Sequence, residues 1–361
     1  MMGGFREPRR TGLIESRPQL PHRSGAPSGL ERPALDEARA LIESQGLRFE
    51  PEFDDLAGLY QDGQLVACGA RAGYVLKMIA IAPELQGTDA LGELVTGLIR
   101  SAFAAGHDTV FLFTRPRNAA SFQALNFRLL AADGQAVLLE QGPGLEAYLA
   151  AAAPGITEGR NGAAVINGNP FTLGHLHLVR EAARRVDRLY LFVVREDRSA
   201  FPFQVRFRLA QEATAGIGNV TVLDTSRYAV SAGTFPAYFL KGAGQAAAAQ
   251  MGIDLDLFAR RIAPRFHIAC RFVGREPLCP TTAAYNRAMA ELLPAQGVQV
   301  AELPRIDAGG APISATRVRA AFVAGDIGTL RTLVPPTTLD FLLSPSARPI
   351  VERLRAKMEE A

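Results

Sequence analysis

The chain has no tryptophan and only three cysteines among its 361 residues. Lysine is equally scarce, with Lys77, Lys241 and Lys357 set against 36 arginines. Three cysteines without metal-ligand spacing exclude a disulfide framework or a zinc ribbon, so Cys68, Cys270 and Cys279 read as reduced thiols of a cytoplasmic protein. No run approaches the roughly eighteen apolar residues needed to cross a bilayer, so no membrane span is expected. The opening MMGGFREPRRTGLIESRPQL pairs two arginines with no apolar segment behind them, which argues against a secretory signal. A strong charge of one sign is missing as well. The net charge is +3, and residues 1–33 alone hold six arginines against three glutamates, so the remainder is neutral. Arginine skew beside abundant alanine fits a GC-rich coding sequence better than phosphate-fork chemistry, and nucleic acid is not an expected partner.

What remains is ordinary globular material, 48% hydrophobic and 21% charged, at a length that suits two or three domains. Residues 1–33, rich in Pro, Gly and Arg without apolar periodicity, read as a disordered tail. Residues 34–150 read as a first globular unit. It has strands around a turn at Asp62-Gly63, a strand at 75–82, a helix at 91–104, a strand at 109–114, a short helix near 119–125 and a closing strand at 137–140. The Ala/Pro/Gly stretch 150–155 reads as a linker. In residues 151–361 the pattern becomes α/β. A buried strand (163–167), a glycine-containing loop, a helix from about His175 and the strand 189–194 form a βαβ unit, which demands a parallel sheet with a right-handed crossover, as in doubly wound folds. Further strands are expected at 220–223, 269–273 and 298–302, a helix at 282–293, and C-terminal helices at 315–324, 328–333 and 350–359, with a break at Pro335-Pro336.

The loop Gly168-Asn169-Pro170-Phe171-Thr172-Leu173-Gly174-His175 joins strand to helix. Free backbone N–H groups and the positive end of the helix dipole meet there, and phosphate is the natural guest. His175 in the first turn offers a donor and Thr172 a hydroxyl. His177, about 200° further round the helix, cannot share that role. Far downstream, Ile313-Ser314-Ala315-Thr316-Arg317-Val318-Arg319 opens another helix. Ser314 or Thr316 reads as its N-cap, and Thr316 and Arg319 stand three apart on one face. Taken singly, each segment is also explained by helix capping alone. Two such segments in one α/β domain favour a shared polyphosphate site.

Thr172-Leu173-Gly174-His175 and Ile313–Arg319 match the (T/H)xGH and ISxTxxR signatures of nucleotidyltransferases. With NGNPFTLGHLHL (167–178), FPFQVR (201–206), TFPAYFLK (234–241), RFVGREPLCPTTAAYN (271–286) and PISATRVR (312–319), the chain from about Phe49 to Leu343 resembles the citrate lyase ligase family. The resemblance implies a GNAT-like α+β domain over 34–150, followed by a nucleotidyltransferase-like ATP-binding domain over 151–361. It implies that acetate attacks ATP, supplied with Mg2+, to give acetyl-adenylate and pyrophosphate. The acetyl group then passes to the thiol of the CoA-derived prosthetic group on the acyl-carrier (gamma) subunit of citrate lyase. Acetate is already ionised at neutral pH, so the first step needs positive potential and hydrogen-bond donors rather than a general base. His175, Thr172 and Arg319 are then the expected catalytic residues. Gly168, Asn169, Phe171, Gly174, Gly274, Ser314, Thr316 and Lys241 are expected around ATP, and Thr281, Thr282 and Tyr285 near acetate or adenylate. Arg195 and Arg206 are further candidates for phosphate contact, and no protein-held metal site is expected. Two other readings stay open: an adenylyltransferase acting on a phosphorylated cofactor precursor of the pantetheine-phosphate type, and a non-catalytic carrier-protein chaperone. In the GNAT-like unit, Asp89 and Asn126 stand where glycine is usual, which argues against transfer of acetyl groups from acetyl-CoA by that domain.

Overall fold

The computed structural model describes residues 28–359 except 196–198, 231–234, 241 and 278. Its elements run β1 (Ser28–Glu31), α1 (Leu35–Ser44), β2 (Asp55–Gln61), β3 (Gln64–Ala72), β4 (Val75–Ile81), α2 (Ala90–Ala104), β5 (Val110–Thr114), α3 (Ala119–Gln123), β6 (Arg128–Ala132), β7 (Val137–Gln141) and α4 (Gly144–Ala152) in the first part. The second part follows with β8 (Asn161–Ile166), α5 (Leu173–Ala183), β9 (Leu189–Val193), α6 (Phe203–Thr214), β10 (Val220–Asp224), α7 (Ala243–Leu257), β11 (Ile268–Gly274), α8 (Pro280–Leu292) and β12 (Gln299–Leu303). After a short hairpin, β13 (Asp307–Ala308) and β14 (Ala311–Pro312), come α9 (Ala315–Ala324), α10 (Ile327–Leu333), α11 (Pro336–Leu343) and α12 (Arg348–Glu359).

The first part is a mixed sheet in the order β1-β2-β3-β4-β5-β7-β6. Alternating burial in β2 and the left-handed Asp62-Gly63 turn (φ +51° and +77°) set the β2–β3 hairpin. Strands β4 and β5 pair in parallel only at Val75–Phe111 and Leu76–Leu112. Beyond these pairs lies a cavity of about 460 Å3, floored by Ile79 and Ile81 and closed by Tyr238 and Phe239 of the second part. Asn126 adopts φ +65°, the left-handed backbone that glycine would otherwise supply and that Asn tolerates best among side-chain-bearing residues. Residues 28–31, assigned to the tail from sequence, instead pair with β2 as the sheet edge. Residues 1–27 lie outside the described residues.

The second part holds a fully parallel sheet in the order β10-β9-β8-β11-β12. The first strand in sequence, β8, is therefore central, and the chain winds outward from it first one way and then the other. One face packs Ala164, Leu191 and Phe272 against α5, α6 and the C-terminal helices. The opposite face packs Val165, Phe192 and Val273 with α7, α8 and the first part. The expected linker at 150–155 is mostly helix. Leu145 and Leu149 of α4 are buried, and the Tyr148 hydroxyl donates to the Asp224 carbonyl at 2.9 Å. Further contacts hold the two parts together. The Tyr238 hydroxyl donates to the Phe113 carbonyl at 3.0 Å, Arg115 donates to the Phe239 carbonyl at 2.9 Å, and the Tyr228 hydroxyl donates to buried Glu140 at 2.6 Å.

Candidate active site

The sheet order puts the topological switch between β8 and β11, where connections leave in opposite directions, the place beyond the strands' C-terminal ends where such sheets open a crevice. The chain leaving β8 turns at Gly168, whose φ of +61° suits a residue without a side chain. Asn169 accepts the Phe201 N–H on its Oδ1 at 2.9 Å, and Phe171 is fully buried against the His175 ring, centroids 5.4 Å apart.

Thr172 then caps α5 with its hydroxyl, which accepts the His175 N–H at 3.3 Å. The reciprocal bond fixes the imidazole: the Thr172 N–H donates to His175 Nδ1 at 3.0 Å, and Thr172 Oγ1 lies 2.9 Å from the same nitrogen. A ring nitrogen that accepts an amide N–H carries no proton, so Nε2 holds it and remains the ring's donor. Burial, and secondarily the charge of Arg305, pushes the His175 pKa down to about 4. The ring is therefore a neutral donor throughout the physiological range.

The second motif abuts the first. A Cβ on Gly174 would lie 3.4 Å from the Ile313 carbonyl oxygen, so glycine lets the start of α5 approach that backbone closely. Ser314 caps α9, its Oγ accepting the Arg317 N–H at 3.2 Å. Arg319 Nη1 donates to the Asn169 carbonyl at 2.7 Å and its Nη2 to Thr316 Oγ1 at 3.1 Å. One guanidinium thus joins the loop after β8 to the first turn of α9, across 150 residues of chain. Arg317 serves the hairpin instead, donating to the carbonyls of Ala308, Ala311 and Pro312.

The other sequence-derived candidates separate. Gly274 ends β11 with open space where a Cβ would stand, and its carbonyl accepts from Asn286 at 3.0 Å. Thr281 and Thr282 lie exposed in the first turn of α8. Tyr285 points inward, donating to Asp254. Lys241 lies outside the described residues. Arg206 is fully buried and donates to the carbonyls of Phe201, Asn167 and Val194 at 2.7–3.0 Å, so it holds the loops around the crevice. Arg195 pairs with Asp224 and stacks over Phe203.

Arg305 went unnoticed in the sequence. It follows β12, pairs with Glu276 and donates to the Arg275 carbonyl at 2.6 Å, and its charge reaches His175. Its only sequence signal was an arginine just past a strand's C-terminal end, on the edge where such sheets bind ligands. Among the described residues the crevice therefore gathers an imidazole donor, two guanidinium groups and two helix N-termini, a set suited to phosphate.

A family model described as the citrate lyase ligase C-terminal domain matches residues 161–342. A Klebsiella pneumoniae protein named citrate (pro-3S)-lyase ligase is 46% identical over 287 residues, covering 78% of this chain and 84% of that protein. The chain belongs to the citrate lyase ligase family. Members of the family are enzymes, and this chain is one of them. Among solved structures, the second part is similar to a Vibrio parahaemolyticus protein assigned as a nicotinate-nucleotide adenylyltransferase. The match is 18% identical with a TM-score of 0.35 and covers 52% of this chain and all of the other. The first part is similar to the ribosomal-protein-S18-alanine N-acetyltransferase of Escherichia coli, at 20% identity and a TM-score of 0.27, covering 33% of this chain and 93% of that one. The chain joins a mixed seven-stranded sheet to a fully parallel five-stranded one. No helix among its described residues is long and apolar enough to cross a membrane.

Proposed function

We propose that this member of the family activates citrate lyase by ATP-dependent acetylation. In the first step a carboxylate oxygen of acetate attacks the α-phosphorus of ATP, the bond to the β-phosphate bridging oxygen breaks, and pyrophosphate leaves with that electron pair. No proton moves. In the second step the thiol of the CoA-derived prosthetic group, on the acyl-carrier subunit of citrate lyase, attacks the acetyl carbon. The thioester forms, AMP departs, and the thiol proton is lost.

The observation that carries the reading is the junction of the two motifs at the switch point: Arg319 bound to the Asn169 carbonyl, beside an imidazole held neutral with its proton on Nε2. Attack of an anion on a polyanion is opposed chiefly by charge, and fixed donors oppose that cost most effectively where water is excluded. His175 donates to phosphate oxygen as negative charge shifts toward pyrophosphate. Arg319 and Arg305 supply positive potential, and the N-termini of α5 and α9 add their dipoles. Gly168, Asn169, Phe171, Gly174 and Gly274 shape the backbone around the nucleotide, with Ser314 and Thr316 at the second helix start. Magnesium travels with ATP. No three His, Cys, Asp or Glu side chains cluster among the described residues, so its ligands in this reading are mainly phosphate oxygens and water.

Exchange of labelled pyrophosphate into ATP tests the first step. Exchange that requires acetate supports the reading. Exchange that ignores acetate and requires a phosphate ester replaces it with adenylyl transfer to a cofactor precursor.

A further inference from the structure

One buried cation has no role in the crevice described so far. Arg271, the fourth residue of β11, is 3% exposed, and its Nε and Nη1 have no hydrogen-bond partner. Its polar contact is long, Nη2 donating to the Tyr285 hydroxyl at 3.4 Å. The Phe258 ring lies 4.4 Å from the guanidinium carbon and the Tyr285 ring 5.8 Å, which offsets part of the burial cost of a charge but satisfies none of its N–H groups. Asp254, whose carboxyl feels the Arg271 charge, is already engaged. It accepts the Tyr285 hydroxyl and the Val230 N–H at 2.7 Å and forms no ion pair with Arg271 within 4.0 Å. A buried guanidinium left with open donors is strongly disfavoured, and such a group marks a place where an acceptor belongs.

Arg271 borders a cavity on the sheet face away from α5, walled by Val165, Phe192, Phe258 and Ile262, with Ala229 and the Asp254 carboxyl also on its lining. Val165 and Phe192 are the next-to-last residues of β8 and β9, and Thr225 directly follows β10, so the cavity lies just inside the C-terminal edge of the sheet. That is the edge from which the Gly168–His175 loop departs. Phe258–Ile262 form a wide π-helical turn at the end of α7, an irregularity often found where a helix lines a functional site. About 30 Å3 is open to the centre of a water molecule. At about 10–15 Å3 per water on this measure, that is room for two or three waters, close to the bulk of a two-carbon acid.

We propose that Arg271 binds the carboxylate of the short acid, and that Phe192, Phe258 and Ile262 enclose its methyl group and limit its length. The assignment rests on the ligase reading for its purpose but not for its test. A carboxylate supplies the acceptors that the guanidinium lacks, and an apolar wall supplies the selectivity that a hydrophobic pocket can give, about 10–200-fold per methylene. Tyr285 then acts as a positioning residue, its hydroxyl bridging Arg271 and Asp254. Thr281 and Thr282, at the exposed start of α8, do not line this cavity.

The test has two arms on the full-length protein. In the first, line broadening of 13C-acetate and 13C-butyrate is measured without nucleotide for wild type, R271Q, R271K and A229L. In the second, the acetate and ATP KM values for pyrophosphate exchange are measured for the same proteins. Wild type broadens acetate but not butyrate. R271Q abolishes that broadening and raises the acetate KM roughly 10–100-fold, the loss expected for charged hydrogen bonds, with the ATP KM within about two-fold of wild type. R271K recovers part of the loss. A229L, which adds bulk to the cavity lining while leaving Arg271 in place, raises the acetate KM while thermal unfolding stays near wild type. Unchanged acetate binding and KM in A229L and in folded R271Q overturn the assignment while leaving the ligase reading intact. Acetate broadening that R271Q removes, in a wild type that shows no acid-dependent exchange, overturns the ligase reading and leaves the pocket assigned.

Discussion

Replacing His175 by alanine removes two things that the structure separates. The first is a helix cap: the Thr172 N–H loses its acceptor on Nδ1, and α5 loses half of its reciprocal capping pair. Loss of such a cap costs about 0.5–2 kcal/mol of stability, against roughly 5–15 kcal/mol for a folded domain, so the variant folds. The second is the Nε2–H donor in the crevice. Losing one pre-organised donor to a developing negative charge costs roughly 10²–10³ in turnover, about 2.7–4 kcal/mol of barrier. His177 provides the control. It lies two residues along the same helix, about 200° round, and makes neither contact. Acetate-dependent pyrophosphate exchange and urea unfolding are to be measured for both variants. The expected result is a 10²–10³-fold fall for H175A with a stability loss near 1 kcal/mol, and little change in either for H177A. Equal losses in the two variants, or a fall in H175A no larger than its destabilisation explains, would refute the placement of the imidazole in the chemistry.

Other consequences follow from single groups. His175 stays neutral until pH falls to about 4, so 15N NMR of the imidazole shows the Nε2–H tautomer unchanged from pH 8 to 5. Because the unfolded chain takes up that proton near pH 6.5, the His175 contribution to stability is complete above 6.5 and is lost as pH falls toward 4. A midpoint near 6.5 in the folded protein contradicts the capping geometry. R206M leaves the carbonyls of Phe201, Asn167 and Val194 without their donor, and denaturant unfolding registers a loss of several kcal/mol. A near-neutral result removes Arg206 as the clamp on these loops. Among the thiols, Cys279 is exposed and its pKa is lowered by hydrogen bonds from Thr282, whereas burial pushes Cys68 up to about 12 and also raises Cys270. Peptide mapping after brief iodoacetamide treatment at neutral pH finds the label on Cys279. Equal labelling of Cys68 contradicts the packing of β3.

Much of this architecture was legible because strands β8, β9 and β11 are short apolar runs between polar loops, and because α5 repeats its apolar positions at helical spacing. The helices that were missed fail that criterion for identifiable reasons. In α7 the run AGQAAAAQMGIDLDL is small and apolar nearly all round, so no polar face marks it. In α6 the inward residue Arg206 reads as a surface charge until its carbonyl partners are known. Pro336, read as a break, occupies the first turn of α11, where a missing N–H costs nothing. Strand β1 has a weak strand sequence and exists through its pairing with β2.

The site shows the same division. Thr172, His175, Ser314 and Arg319 were readable because caps and first turns are local, and local order fixes their spacing. Arg305 and Arg271 were not readable, since what distinguishes them is what they face. One adds to the burial that keeps the imidazole unprotonated, and the other stands buried with open donors. Gly274 and Tyr285 could be named from the resemblance, but only packing separates the open strand end from the inward hydroxyl.

The central claim, that a crevice built from two distant motifs drives acetylation of a carrier thiol, is tested most directly by mass spectrometry of that carrier. The protein is incubated with ATP, acetate and deacetylated citrate lyase, and the acyl-carrier subunit is weighed intact. The account predicts a gain of one acetyl group on the prosthetic group, dependent on both ATP and acetate and lost with H175A. A carrier of unchanged mass, under conditions where the lyase has accepted chemical acetylation, would contradict it.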